Sequence, residues 1–166
     1  TMGADMGLLT KPEHQAAREA ALLAKADLTT LMVREFPELQ GVMGSIYLRA
    51  EGTPWASVTS AVRWHYHPVS AEEAGDPAGK LGGSDATVFG AVSLADKLDT
   101  LAGYFGLGQA PTGSSDPSGL RRAAQGAVRV LLDFWSADVP EQRPSFRRLV
   151  AAAVSEVPGL VAGRDE

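Results

Sequence analysis

The chain has 166 residues, a net charge of −5, 45% hydrophobic residues and no cysteine. A chain of that length fits one domain rather than two, and the missing thiols exclude disulfides, thiolate zinc sites and cysteine nucleophiles. With no run of about 18 apolar residues to span a bilayer and no basic start followed by an apolar signal core, a cytoplasmic protein without a membrane partner is expected.

Alanine is abundant and strictly alternating Val, Ile and aromatic runs are scarce, which predicts an all-α fold. Residues 1–12 are expected to be a disordered or artificially appended start, 13–155 the helical domain, and 156–166 a frayed tail. The first helix follows Thr10, whose Thr-x-x-Glu spacing to Glu13 makes a capping box, with Pro12 in the first turn. It should run to about Glu35, because Pro37 disfavours helix at Phe36. Ala16, Ala20, Leu23, Ala24, Leu28 and Leu31 recur at three- and four-residue steps and form its core-facing stripe, with Asp27 beside it. A second helix over 37–50 is expected to turn Leu39, Val42, Met43, Ile46 and Tyr47 inward, with Gly41 and Gly44 permitting close packing. Trp55 to Tyr66 forms a third helix, stopped by Pro68.

Residues 69–87 hold four Gly and one Pro without apolar periodicity, so a surface loop is predicted there. A fourth helix follows, capped by Ser84 or Asp85 and buried through Val88, Val92, Ala95, Leu98 and Ala102. Gly106 and Gly108 end it. The turn 110–117 leads into a fifth helix capped by Ser115 or Asp116, with Leu120, Ala123, Ala127, Val130, Leu131 and Phe134 inward. Arg122, Gln125, Arg129 and Asp133 take another face. A shorter sixth helix after Pro144 presents Phe146, Leu149 and Val150 to the core.

Charge is distributed unevenly along the chain. Residues 1–116 carry eight basic and fourteen acidic side chains, whereas 117–150 carry six Arg against three acids. A late basic stretch of this kind is either a solvated helix face or a footprint for a polyanion. Arg121, Arg122 and Arg129 share one helix, and residues 122 and 129, seven apart, lie on nearly the same side. The turn before them, with Thr112 and Ser114 hydroxyls, is the best anion-site candidate. Asp116 opposes an anion at that point and suits ordinary capping.

Three stretches in this order and spacing, LAKADLTTLMVREFPELQGVMG at 23–44, AVSLADKLDTLAGYFG at 91–106 and GQAPTGSSDPSGLRRAA at 108–124, resemble the β subunit of bacterial heterotetrameric glycyl-tRNA synthetase. Ser115 departs from the pattern, where a lysine is expected. The resemblance implies a helical bundle of the HD superfamily, of about six helices here, inside a subunit that handles tRNA(Gly). Its partner α subunit carries the glycine-activating and ATP-binding site, and the remaining β-subunit domains include an anticodon-binding one. A fragment of this kind catalyses nothing alone and holds no cofactor.

An HD phosphohydrolase places a His, a His-Asp pair and a later Asp around a divalent metal. Asp96 resembles the late Asp and Asp27 the Asp of the pair, but Ala26 precedes Asp27, and two carboxylates without imidazoles hold a metal poorly. Neither bound metal nor phosphohydrolase activity is therefore expected, and that hydrolase and a purely structural linker module are the alternative readings. Asp27, Asp96 and Asp99 are expected to face one another across packed helices, capping or pairing with Lys25, Arg34 or Lys97. His65 and His67 diverge by about 200° on a helix, and a surface or boundary role is expected of them. Trp55, Trp64 and Trp135 are expected to anchor a core or an interface.

Overall fold

The structure, a computed structural model, describes residues 9–68, 81–112, 116, 118–134 and 145–157. Among these the fold is all-α, with helices α1 (Lys11–Leu23), α2 (Leu31–Glu35), α3 (Val42–Ala50), α4 (Ala56–Trp64), α5 (Gly83–Gly106), α6 (Leu120–Phe134) and α7 (Phe146–Ser155). Two 3-10 turns, Ala26–Thr29 and Pro37–Leu39, flank α2. Most of the expected start over 1–12 and most of the tail over 156–166 lie outside the described residues, as do Ser114, Ser115, Pro117 and Trp135 and all side-chain detail of Phe134.

The capping box at Thr10 forms in both directions: the Thr10 N–H donates to Glu13 Oε2 at 2.9 Å, and the Glu13 N–H donates to Thr10 Oγ1 at 3.4 Å. The helix it starts is shorter than expected. The Thr29 and Thr30 hydroxyls donate to the carbonyls of Ala26 and Asp27 at 2.8 and 2.7 Å, and Thr30 then caps the Val33 N–H. Short hydroxyl side chains compete with the helix for backbone partners in this way. The chain therefore turns, and Leu28 and Leu31, predicted in the stripe, stand 44% and 76% exposed. Ala16, Ala20 and Ala24 do face the core.

The register of α3 also differs from expectation. Its buried face is Gly44, Ser45 and Leu48, while Ile46 and Tyr47 are exposed. Gly44 decides this, because a Cβ on it would lie 2.9 Å from Val62 Cγ1 on α4; the side with no side chain is the one that can approach its neighbour closely.

Helix α5 has 24 residues, about 36 Å at 1.5 Å per residue, and touches α1, α4, α6 and α7. It starts at Gly83, inside the stretch 69–87 predicted as loop, and its N-cap is Gly82 with no side-chain cap bond, not Ser84 or Asp85. Of that predicted loop, 69–80 lies outside the described residues. The first part of α5 buries Val88, Phe89 and Val92 against α1 and α4, with Ala20, Val58 and Val62. Its later part buries Leu94, Leu98 and Ala102 against Ala127, Val130, Leu149 and Ala153 of α6 and α7. One continuous helix thus walls both cores. Phe146, predicted inward, is exposed at the start of α7, where Leu149 and Ala153 supply the packing.

Candidate functional site

Asp27 is the most buried carboxylate among the described residues, at 1% exposure. Its Oδ2 accepts the Gly41 N–H at 2.7 Å and the Gly44 N–H at 3.0 Å, while Oδ1 is buried without a hydrogen-bond partner. Both glycines are required. Gly41 has φ +77° and a Cβ there would lie 2.7 Å from the Arg63 carbonyl oxygen, and one on Gly44 would crowd Asp27 Oδ2 at 3.3 Å. The carboxylate thus clasps the start of α3, where free backbone N–H groups need acceptors.

Lys97, from the middle of α5, is buried to 5% exposure. Its Nζ lies 3.2, 3.1 and 3.2 Å from the carbonyl oxygens of His65, Tyr66 and His67, just past the end of α4, and 2.9 Å from Ser93 Oγ. Ser93 in turn donates to the His67 carbonyl at 2.5 Å. An ammonium at a helix C-terminus satisfies orphan carbonyls and complements the dipole. Helix α6 passes close above: a Cβ on Gly126 would lie 2.6 Å from Lys97 Cε and 2.5 Å from the Pro68 carbonyl oxygen.

Lys25 joins the third group. Its ammonium pairs with Asp96 Oδ1 at 2.9 Å and sits 3.9 Å from the centre of the Tyr66 ring, a cation–π distance. Burial first, then the carboxylates of Asp27 and Asp96, push the Tyr66 hydroxyl up to about 12. His65 is fully buried, which corrects its expected surface or boundary role. Its Nδ1 lies 2.8 Å from the Val62 carbonyl oxygen, which can only accept, so the proton is on Nδ1. Burial, then the Lys25 ammonium, lowers the imidazole to about 4, and Nε2 is left buried with no hydrogen-bond partner.

Asp27 and Asp96 therefore both act on Tyr66, whereas Asp99 stays on an exposed part of α5. Among the described residues no three His, Asp or Glu side chains converge to hold a metal ion. His65 and Tyr66 were missed as members of this cluster. The available signal was the run 63–68, in which a helix ends before Pro68 and so leaves carbonyls that need a donor.

On α6, Asp116 is the cap: its Oδ1 accepts the Leu120 N–H at 2.8 Å and its Oδ2 the Arg121 N–H at 2.9 Å. Arg121 and Arg122 are exposed beyond it, as is Thr112. The Arg122 side chain folds back over Gly119, where a Cβ would lie 3.1 Å from Nη2. Arg129 instead bonds Asp133 one turn on. Arg147 and Arg148 add exposed guanidiniums on α7.

Among the described residues the fold is all-α, with a glycine-clasping aspartate and an arginine-bearing helix, and the relatives of this chain are subunits of an aminoacyl-tRNA synthetase. A family profile described as "Glycyl-tRNA synthetase beta subunit" matches residues 3–157. The chain is 54% identical over 120 residues, 70% of its length and 15% of the relative's, to the glycine–tRNA ligase β subunit of Cereibacter sphaeroides. It is 52% identical over 133 residues to that of Trichodesmium erythraeum, covering 80% of this chain and 17% of the relative. For Neisseria meningitidis serogroup B the figures are 51% over 121 residues, 72% and 16%. The chain belongs to the glycyl-tRNA synthetase β-subunit family, and it spans about one sixth of the length of these relatives. Among the described residues no helix is long and apolar enough to cross a membrane.

Proposed function

We propose that this chain is the HD-like helical domain of the β subunit of a cytoplasmic glycine–tRNA ligase, contributing to tRNA(Gly) binding and to subunit architecture and catalysing nothing by itself. Glycine activation with ATP belongs to the partner α subunit of the heterotetramer, and the remaining β-subunit domains supply the other tRNA contacts. The observation that carries the reading is the pair Arg121 and Arg122, exposed directly beyond the Asp116 cap in a stretch with six Arg against three acids. Guanidiniums on a rigid helix start suit phosphate oxygens.

The test is Arg121→Glu with Arg122→Glu in the assembled synthetase. The Michaelis constant for tRNA should rise, and the slope of log affinity against log salt should become shallower by at least about 1, the share of one lost phosphate contact. Glycine-dependent pyrophosphate exchange should be unchanged. Unaltered tRNA kinetics at low salt would make α6 a solvated face and refute the reading.

A further inference from the structure

The start of α6 and the middle of α5 leave a cleft of about 220 Å³ between them, walled by Tyr66, Asp96, Thr100, Gly119, Arg122 and Ala123. Pockets that enclose drug-sized ligands run to roughly 300–1,000 Å³, so this one admits a single ring system rather than a whole cofactor. Its polar groups have fixed roles. The Tyr66 hydroxyl keeps its proton at neutral pH, with an ionisation pushed up to about 12, and so can donate. Asp96 is an acceptor whose charge is met on Oδ1 by Lys25 at 2.9 Å. The Thr100 hydroxyl donates to the Asp96 carbonyl at 2.9 Å, which leaves its oxygen available as a second acceptor. The planar Arg122 guanidinium also lines the cleft and lies close to Gly119, where a Cβ would come within 3.1 Å of Nη2.

A bare anion is poorly met here: Asp96 faces it, and the Lys97 ammonium, which also lines the cleft, is engaged by the His65, Tyr66 and His67 carbonyls and by Ser93 Oγ. A nucleobase does fit. Every base carries adjacent donor and acceptor groups on its Watson–Crick edge, and a guanidinium plane is a recurrent stacking partner for a splayed base. That edge is free only in an unpaired nucleotide. Resting on the tRNA reading above, we propose that this cleft takes the base of one unpaired nucleotide of the bound tRNA. Its Watson–Crick edge meets Tyr66, Asp96 and Thr100, and Arg122 lies over the ring. Arg122 is thereby a base-positioning residue, while Arg121 meets the backbone.

The experiment uses the assembled synthetase with a photoreactive benzophenone side chain at Ala123, on the cleft wall, or at Arg121, on the exposed helix face. The Ala123 probe should crosslink to one unpaired nucleotide, and the Arg121 probe should also label tRNA. Independently, Thr100→Phe and Ala123→Leu, which fill the cleft without changing charge, should raise the Michaelis constant for tRNA about tenfold with kcat unchanged, the scale of one lost base-stacking contact. Labelling from Arg121 with none from Ala123, or labelling of a base-paired nucleotide from Ala123, overturns the cleft and leaves the tRNA reading standing. So does an unchanged Michaelis constant in both filled variants when melting shows them folded. No labelling from either position overturns both.

Discussion

Replacing Asp27 by alanine deletes the acceptor shared by the Gly41 and Gly44 N–H groups, 2.7 and 3.0 Å from Oδ2 in a site with 1% exposure. A buried polar group stripped of its partner costs about 1–3 kcal/mol, so two such groups set a range of about 2–6 kcal/mol. Part of that is offset, because the variant no longer buries a carboxylate whose Oδ1 lacks a partner. A net loss of about 3 kcal/mol is expected, equivalent to a melting temperature lower by about 6–12 °C for a chain of this size. Asp27→Asn keeps one oxygen for the two N–H groups and places an amide NH2 where Oδ1 stood unpartnered, so it should lose about half as much. Thermal unfolding followed by circular dichroism measures both. A melting temperature unchanged in Asp27→Ala, or equal losses for Ala and Asn, would refute the view that Asp27 acts by accepting these two bonds.

Lys97→Met keeps most of the stem but leaves the His65 and Tyr66 carbonyls without their ammonium. It should lower stability by about 2–4 kcal/mol in a denaturant titration, and an unaltered midpoint would show that the carbonyls find water instead. For His65, the imidazole is held at about 4 by burial and by Lys25, below its ordinary value of 6.5. Because the folded state disfavours its protonation, stability is fully present above about pH 6.5 and is lost as the pH falls towards 4, by up to about 3 kcal/mol. A His65→Leu variant should flatten that part of the stability–pH curve, and an equally steep fall in the variant would assign it to other groups.

Two helix starts were the most legible features of the sequence, although the cap expected for α5 was not. Thr10 with Glu13 and Asp116 before Leu120 are short-range capping arrangements, and each forms as its spacing implies. The apolar periodicity of α6 likewise buries Leu120, Ala127 and Val130. What failed was decided in one place by hydroxyls acting three residues back and elsewhere by contacts distant in sequence. The Thr29 and Thr30 hydroxyls capture the carbonyls of Ala26 and Asp27 and end the first helix early. The α3 register follows from Gly44 against Val62, a contact that ranks a missing side chain above the apolar Ile46 and Tyr47. His65 was misplaced because a histidine before a helix end reads as polar boundary, and nothing local announces that Lys97, 32 positions later, closes over its carbonyl.

Asp27 and Asp96, expected from the resemblance to stand at HD-type positions, make other contacts in the structure. A metal ligand needs a lone pair free to point at the ion, with its second shell holding it in place. Asp27 Oδ2 is spent on two backbone N–H groups of α3. Asp96 Oδ1 is held by Lys25, whose ammonium supplies a single positive charge beside Tyr66. His65 donates through Nδ1 inside the core with its other nitrogen sealed from solvent. Lys25, Asp96 and Tyr66 form a self-neutralised group, and Tyr66 and Asp96 line one cleft with Arg122. In the proposed tRNA reading that cleft offers the fixed donors and acceptors a base edge needs, on a wall where the buried Lys97 ammonium braces the end of α4.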